Sequence, residues 1–359
     1  MSLGPGTNGA MRELAHYNYT LNKLFRFLSC KSNPQYTTLK FNLLDIYTLP
    51  PLPSTVRVLE ASFCNLQSIP YLPEGLESLV CFRNPLQTLP PLPSTLRELN
   101  VGGCNLRSLP SLPEGLESLV CYRNPLQTLL PLPSTLRWLN VGGCNLRSLP
   151  TLPEGLEGLG CGRNPLQTLP PLPSTLRWLN VGDCNIRTLP SLPEGLETLD
   201  CSENPLQTLP PLPRSLKSLR CSSTQISFLP PLSTNHLWEL VIDDTPLKSL
   251  PELPPNLHSL RCKNTHITVL PELPEKMRTH GSMLFTGAPL VLQQREGESL
   301  EEYNLRWRKW REVNESKLRT LERTKVLKED IIAATWHPER FEQWCLDEEE
   351  KKENEVMCA

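Results

Sequence analysis

LPPLPSTLRELNVGGCNLRS, residues 89–108, runs straight into LPSLPEGLESLVCYRNPLQT, residues 109–128, and the two stretches align position for position. The same twenty-residue unit starts at Leu49, Ile69, Leu89, Leu109, Leu129, Leu149, Leu169, Leu189, Leu209 and Leu229. An insertion near Asn235 lengthens the Leu229 unit to 21 residues, and further units start at Leu250 and Leu270. Similarity is strongest at a spacing of 40 residues, the mark of an array grown by duplicating a pair of units. Within a unit, Leu96, Leu99, Val101, Cys104 and Leu106 are the recurring apolar positions. Around Leu99 they alternate, which predicts a short strand with Leu99 and Val101 turned inward and Glu98, Asn100 and Gly102 outward. The L-P-x-L-P segment lacks donors and has fixed φ at its prolines, so it cannot be a regular helix or a strand interior. Short polyproline-like pieces on the outer side are the expectation. Of the 38 prolines, 34 lie between Pro50 and Pro274, so the enrichment belongs to the repeat. A unit this small cannot bury its apolar face alone, and stacking on its neighbours must seal it.

The spacing L-x-x-L-x-[VC]-x-x-[CN]-x-L fits the leucine-rich repeat, and the L-P-x-L-P-x-x-L-x-x-L unit resembles the short repeat of bacterial effectors of the YopM and IpaH type. The resemblance covers residues 49 to about 276. It implies an α/β repeat protein: a leucine-rich-repeat solenoid, or horseshoe, with a concave parallel β-sheet, a polyproline-like convex side and helical N- and C-terminal caps. It also implies a protein that binds other proteins inside a host cell. Effectors of the IpaH type carry a Cys-x-Asp nucleophile in a large helical ubiquitin-ligase domain. Cys345-Leu346-Asp347 matches that triplet, but about a dozen residues follow it here, so ligase activity is not expected. The stretches Trp336–Phe341 and Trp344–Glu349 resemble C-terminal tails of giant DNA-virus proteins.

The array needs ends. Tyr36, Leu39, Phe41, Leu44 and Ile46 fit the repeat offsets as an atypical first rung, while Leu14, Tyr17, Leu21, Leu24, Phe25 and Leu28 recur at helical spacing. Residues 1–35 are therefore read as a helical cap and 36–285 as the solenoid, with twelve good rungs and a vestigial one near Ser282. From 286 to 359 a helical segment is expected. Ser299 and Glu302 form a capping box, and Leu300, Tyr303, Trp307 and Trp310 follow at steps of three and four. Arg306–Lys328 carries a net charge of +6, and the acidic tail Asp347–Glu355 carries −4. The segment either caps the last rung or docks a partner.

Outward strand positions are where such a stack varies and binds. Trp138 and Trp178 stand on alternate rungs, about 10 Å apart at ordinary strand spacing, and the rung between them presents Gly158, Gly160 and Gly162. Three glycines in one strand weaken it, and they predict a bare slot between two indoles, wide enough for a flat group. Phe82 and Tyr122 extend the apolar track, and Asn140 and Asn180 offer amides at its edge. Arg123 and Arg163, with Arg83, recur every second rung beyond the strands and suit an acidic partner. Aromatic residues dominate protein-binding hot spots, so these residues are the candidate partner site. At another offset Arg57, Glu77, Arg97, Glu117, Arg137, Glu157, Arg177, Glu197 and Lys217 alternate in sign, a ladder that supports rung register.

Thirteen cysteines, an odd number without a C-x-x-C pair, argue against a disulfide framework or a zinc site. Ten fall in the array, in two columns, and read as small buried hydrophobes in a reducing compartment. A net charge of −2 gives no bulk attraction to nucleic acid or membrane. No apolar run reaches the roughly 20 residues of a membrane span, and Met1–Ala10 lacks the order of a secretory signal. Six scattered histidines and no phosphate-binding loop give no catalytic constellation and no expected cofactor. The reading is a cytoplasmic, monomeric scaffold that captures a protein or peptide. Its rivals are an adaptor recruiting substrates for ubiquitination, a degenerate ligase, and a virion structural protein.

Overall fold

The computed structural model describes residues 37–43, 46–49, 51–232, 236–271, 273–274 and 276, with the strands Ser282–Leu284 and Val291–Leu292. The chain divides into two compact units, Met1–Gln294 and Arg295–Ala359, and every described residue lies in the first.

Each rung contributes one three-residue strand centred on its leucine. In order these are β1 (Thr38–Lys40), β2 (Val58–Glu60), β3 (Ser78–Val80), β4 (Glu98–Asn100), β5 (Ser118–Val120), β6 (Trp138–Asn140) and β7 (Gly158–Gly160). They continue as β8 (Trp178–Asn180), β9 (Thr198–Asp200), β10 (Ser218–Arg220), β11 (Glu239–Val241) and β12 (Ser259–Arg261). After β13 (Val269–Leu270), β14 (Ser282–Leu284) adds the thirteenth strand to the same parallel sheet, and β15 (Val291–Leu292) pairs with β13. Register is uniform: Leu39 pairs with Leu59, and so on through Leu260 to Met283. Twelve rungs and a degenerate thirteenth thus match the spacing of the sequence.

The structure supports neither helical cap. No helical element is delimited among the described residues, and Val291–Leu292, assigned by sequence to the helical C-terminal segment, is a strand. Its two β-branched and aliphatic residues extend a ladder that Val269–Leu270 leaves open. The helical pattern at 14–28, the capping box at Ser299 and the acidic tail lie outside the described residues.

Leu59, Leu79, Leu99, Leu119, Leu139, Leu159, Leu179, Leu199, Leu219, Leu240 and Leu260 are wholly buried, as are Val101, Val141 and Val181. From Ile69 to Pro254 the proline-bearing segments carry no strand or helix. Those from Pro53 to Pro213 close instead on a turn, in which the N–H three residues on donates to the second proline's carbonyl, as Leu96 does to Pro93 at 3.1 Å.

Two further devices join the rungs, and both have the 40-residue period. Asn84, Asn124, Asn164 and Asn204 are buried. Asn164 Oδ1 accepts from the N–H groups of Cys144 and Leu146 at 2.9 Å, while its Nδ2 donates to the carbonyls of Val141 and Cys161 at 2.8 Å. The same position on the intervening rungs is cysteine, whose Sγ donates to the carbonyl of the rung before, as Cys144 does to Cys121 at 3.1 Å. In the last rungs threonine takes over, Thr224 Oγ1 donating to Cys221 at 2.8 Å. On the turn side, Thr95, Thr135 and Thr175 each donate to two carbonyls of the preceding rung at 2.6–2.8 Å. Each asparagine therefore staples its own rung to the cysteine rung before it, and the duplicated pair is a physical unit.

The charged column resolves into pairs within those units, Arg97 with Glu117, Arg137 with Glu157 at 2.6 Å and Arg177 with Glu197 at 3.1 Å, and Glu197 also reaches Lys217 on the following rung at 2.6 Å. Burial would raise the Glu197 carboxyl, but Lys217 and Arg177 together hold it below its usual range. These pairs are exposed and worth at most about 1 kcal/mol each.

None of the ten described cysteines forms a disulfide, and all are buried. The two columns that look separate in sequence meet through their thiols. The Cys144 thiol beside it, and then burial, push Cys121 well above its ordinary value. Burial pushes Cys104 up to about 11 and Cys221 and Cys262 up to about 12. Cys30, Cys345 and Cys358 lie outside the described residues.

Candidate functional site

The open face of the sheet is built from the residues flanking each buried leucine. Because that leucine points into the core, the side chains on either side of it point the other way. Down the first flank run Val58, Ser78, Glu98, Ser118, Trp138, Gly158, Trp178, Thr198, Ser218, Glu239 and Ser259.

Trp138 and Trp178 stand on this face, as the sequence indicates, but the slot between them is closed. Their ring centroids are 5.2 Å apart and their planes meet at 23°, a stacked pair. Trp138 lies over Gly158: a Cβ there would fall 2.0 Å from its Cζ3. A Cβ at Gly160 would fall 3.1 Å from Cζ3 of Trp178. The glycine rung is thus a seat for two indoles that lean towards each other, not a floor for a ligand. Backbone spacing alone gives about 10 Å, yet each indole can reach several ångströms along the stack. Closing the gap removes apolar surface from water and adds about 0.5–1.5 kcal/mol of ring–ring interaction. Trp138 is left nearly covered, 6% exposed, while Trp178 is half-buried and remains accessible.

The rest of the expected track behaves in the same way. Tyr122 is buried against Gly102, where a Cβ would fall 2.1 Å from its Cε1. Burial raises its phenol above the ordinary value, against the lowering influence of Arg83 and Arg123. Phe82 meets Phe63 edge to face at 5.2 Å, a partner the sequence reading did not consider, and the Arg83 guanidinium lies 5.3 Å from the Phe63 ring centre. Asn140 and Asn180 point their Oδ1 atoms at the N–H groups of Gly142 and Gly182, at 3.2 and 3.0 Å. Their oxygens serve the local backbone. Arg123 and Arg163 are exposed at the end of the strands.

On either side of the indoles the face is ionic. Lys40 pairs with Glu60 at 2.9 Å, Arg220 with Glu239 at 2.9 Å, and Arg261 with the buried Asp243 at 2.6 Å. Lys40 and Glu60 share an offset on neighbouring rungs, whereas the partners of the other two pairs sit at different offsets, 19 and 18 residues apart, which sequence spacing does not bring together. The tryptophan pair is therefore an aromatic patch between two self-paired charged zones. Among the described residues, no group of three His, Cys, Asp or Glu side chains is placed to hold a metal ion. No helix among them is long and apolar enough to cross a membrane.

A parallel sheet with one buried leucine per strand, repeated at twenty residues and stapled by buried asparagine, defines the fold: a leucine-rich-repeat solenoid built of short units. Among solved structures it is similar to YopM, a leucine-rich effector protein from Yersinia pestis, with 29% identity and a TM-score of 0.65, over 73% of this chain and 80% of that one. YopM from Yersinia enterocolitica WA-314 is 29% identical with a TM-score of 0.52, over 73% and 71% of the two chains. A TDR receptor, 19% identical with a TM-score of 0.53 over 73% and 57%, shares the fold. No protein-family model matches the sequence, and a search of curated proteins finds no match.

Proposed function

We propose that this chain is a protein-interaction scaffold, of effector-like type and acting in the cytoplasm, that captures a protein or peptide on the open face of its sheet. The observation that carries the reading is the contrast between the two sides of each strand. The inward leucine is the same and sealed on rung after rung, while the outward flank changes from Val58 to Ser78, Glu98, Trp138, Gly158 and Thr198. A constant spine with a varied surface suits recognition rather than catalysis, and the similarity to YopM supports it. Within that face the tryptophan patch, with Trp178 as its accessible ring, is the anchor. Aromatic anchors ringed by polar groups are the usual form of a binding hot spot. The scaffold works as a monomer, takes no cofactor, and engages protein rather than nucleic acid or membrane.

The test is affinity capture with the full chain, followed by titration of the protein recovered. Trp178→Ala weakens binding about thirtyfold, the cost of a hot-spot residue, whereas Trp178→Phe keeps most of it. A ligand bound equally well by the Trp138→Ala/Trp178→Ala double variant sinks the anchor.

A further inference from the structure

Beyond the carboxyl ends of the strands, one residue per rung sits in the left-handed region: Leu43, Phe63, Arg83, Gly103, Arg123, Gly143, Arg163, Asp183, Glu203, Ser223, Asp244 and Asn264, with φ between 50° and 64°. The column is rigid. From Arg83 to Asp244 each of these residues donates its N–H to a carbonyl of the next rung at 2.6–2.9 Å. Its side chains are sorted by charge along the stack. The first two are apolar and exposed, Leu43 at 77% and Phe63 at 43%. Arginines then alternate with glycines, and each glycine makes room for the arginine before it: a Cβ at Gly103 would fall 3.3 Å from Arg83 Cγ, and one at Gly143 would fall 3.5 Å from Arg123 Cγ. The stems thus lie beside the glycines of the column, and the Arg83 guanidinium turns back to the Phe63 ring. After Arg163 the sign reverses at Asp183, Glu203 and Asp244.

We propose that the edge from Phe63 to Arg163 is a docking track for a short, extended, acidic segment of a partner protein. It rests on the reading of the chain as a protein-capturing scaffold but uses a different surface from the tryptophan patch. Arg83, Arg123 and Arg163 stand two rungs apart, about 10 Å, and a peptide in the extended polyproline II form rises about 3.1 Å per residue with three residues per turn, so every third side chain faces the same way. The track therefore matches carboxylates at every third residue, three of them over about seven residues. Phe63 and Leu43 give the segment an apolar end and so a direction. The acidic stretch beginning at Asp183 sets its length. A long polyanion such as RNA would have to continue past Arg163 into like charge, which costs binding, whereas a short acidic peptide stops in time.

The probe is a fluorescein-labelled peptide, Leu-Ser-Asp-Ser-Gly-Asp-Ser-Gly-Asp, titrated against the full chain and followed by anisotropy. Its control has Asn in place of each Asp. The variant Arg83→Gly/Arg123→Gly/Arg163→Gly removes the charges at positions where glycine is the easier residue, so the fold is kept, and an unchanged or raised melting temperature checks this. The wild type binds the acidic peptide at least about tenfold more tightly than the Asn peptide or than the triple variant binds either, three exposed ion pairs adding up to that. Replacing the three arginines by Glu transfers the preference to a peptide with Lys at the same places. The assignment is overturned by equal affinity for the two peptides or by unchanged binding to the triple glycine variant. It is also overturned by tighter binding of a ten-nucleotide oligouridine, or by a dimer that the triple variant dissolves while the peptide does not bind. Because Trp178 lies outside the track, loss of the tryptophan anchor leaves this result standing, and the two readings fail separately.

Discussion

Asn164→Ala is expected to lower the unfolding free energy by about 3 kcal/mol or more. The substitution strips partners from two buried N–H groups, of Cys144 and Leu146, and from the carbonyl of Val141, while the carbonyl of Cys161 keeps the Cys184 thiol. Leaving a buried polar group unsatisfied costs about 1–3 kcal/mol, with some relief from relaxation. Since the stability of a stacked array is a sum of unit and neighbour terms, the loss is concentrated at the junction between β6 and β7. Urea unfolding, cooperative in the wild type, then separates into two steps. Asn164→Cys costs about half as much, because neighbouring rungs already use cysteine at this place, with its thiol donating to a carbonyl. Asn145→Gly is the control: Asn145 is exposed with φ of 60°, and glycine there is neutral or mildly stabilising. A loss below about 1 kcal/mol for Asn164→Ala would remove the staple from the account.

The second large effect is alkaline instability. Burial raises the folded-state values of Cys104 to about 11 and of Cys221 and Cys262 to about 12. A thiol raised in the folded state adds stability that is fully present below its unfolded value of about 8.5–9 and is lost as pH climbs towards the folded value. At about pH 10.5 each of these three has lost about 2 kcal/mol, so together they remove about 6 kcal/mol, and Cys81 and Cys201, also raised by burial, add to this. The melting temperature therefore falls steeply between about pH 8.5 and pH 10.5. Val101, Val141 and Val181 occupy the corresponding inward place on other rungs, so Cys221→Val and Cys262→Val are natural in size and site. The double variant should lose about 4 kcal/mol less over that interval than the wild type. Equal pH dependence in the two proteins would show that the thiols do not govern it.

The fold is written in the sequence because its signal is repeated. Leu99 alone is ambiguous, but a leucine at that offset on a dozen rungs, most of them followed by L-P-x-L-P, leaves one arrangement that buries them all. The direction of each strand residue followed from alternation, and the vestigial rung at Ser282 from the decay of the same offsets. The site was less legible. Trp138, Trp178 and the glycine rung stood out, and their placement on the open face is as read. The slot was inferred from backbone spacing, however, and side chains lean; what Gly158 and Gly160 admit is a neighbouring indole. Asn84, Asn124, Asn164 and Asn204 sat in plain view at the cysteine offset, yet their role as staples depends on carbonyls one rung away, which no single repeat reveals. The ion pairs Arg220–Glu239 and Arg261–Asp243 were missed for the same reason. The stretches with helical spacing, 14–28 and after Ser299, lie outside the described residues.

The central claim is that partners are held on the varied, open side of the sheet. Photo-cross-linking of a captured ligand tests it most directly, with the reactive group placed at Thr198, on the open face beside Trp178, or at Ser148, exposed beyond the strands. The account predicts cross-links from position 198 that disappear with Trp178→Ala, and background alone from position 148. Equal yields from both positions, or a yield from 148 only, would contradict it.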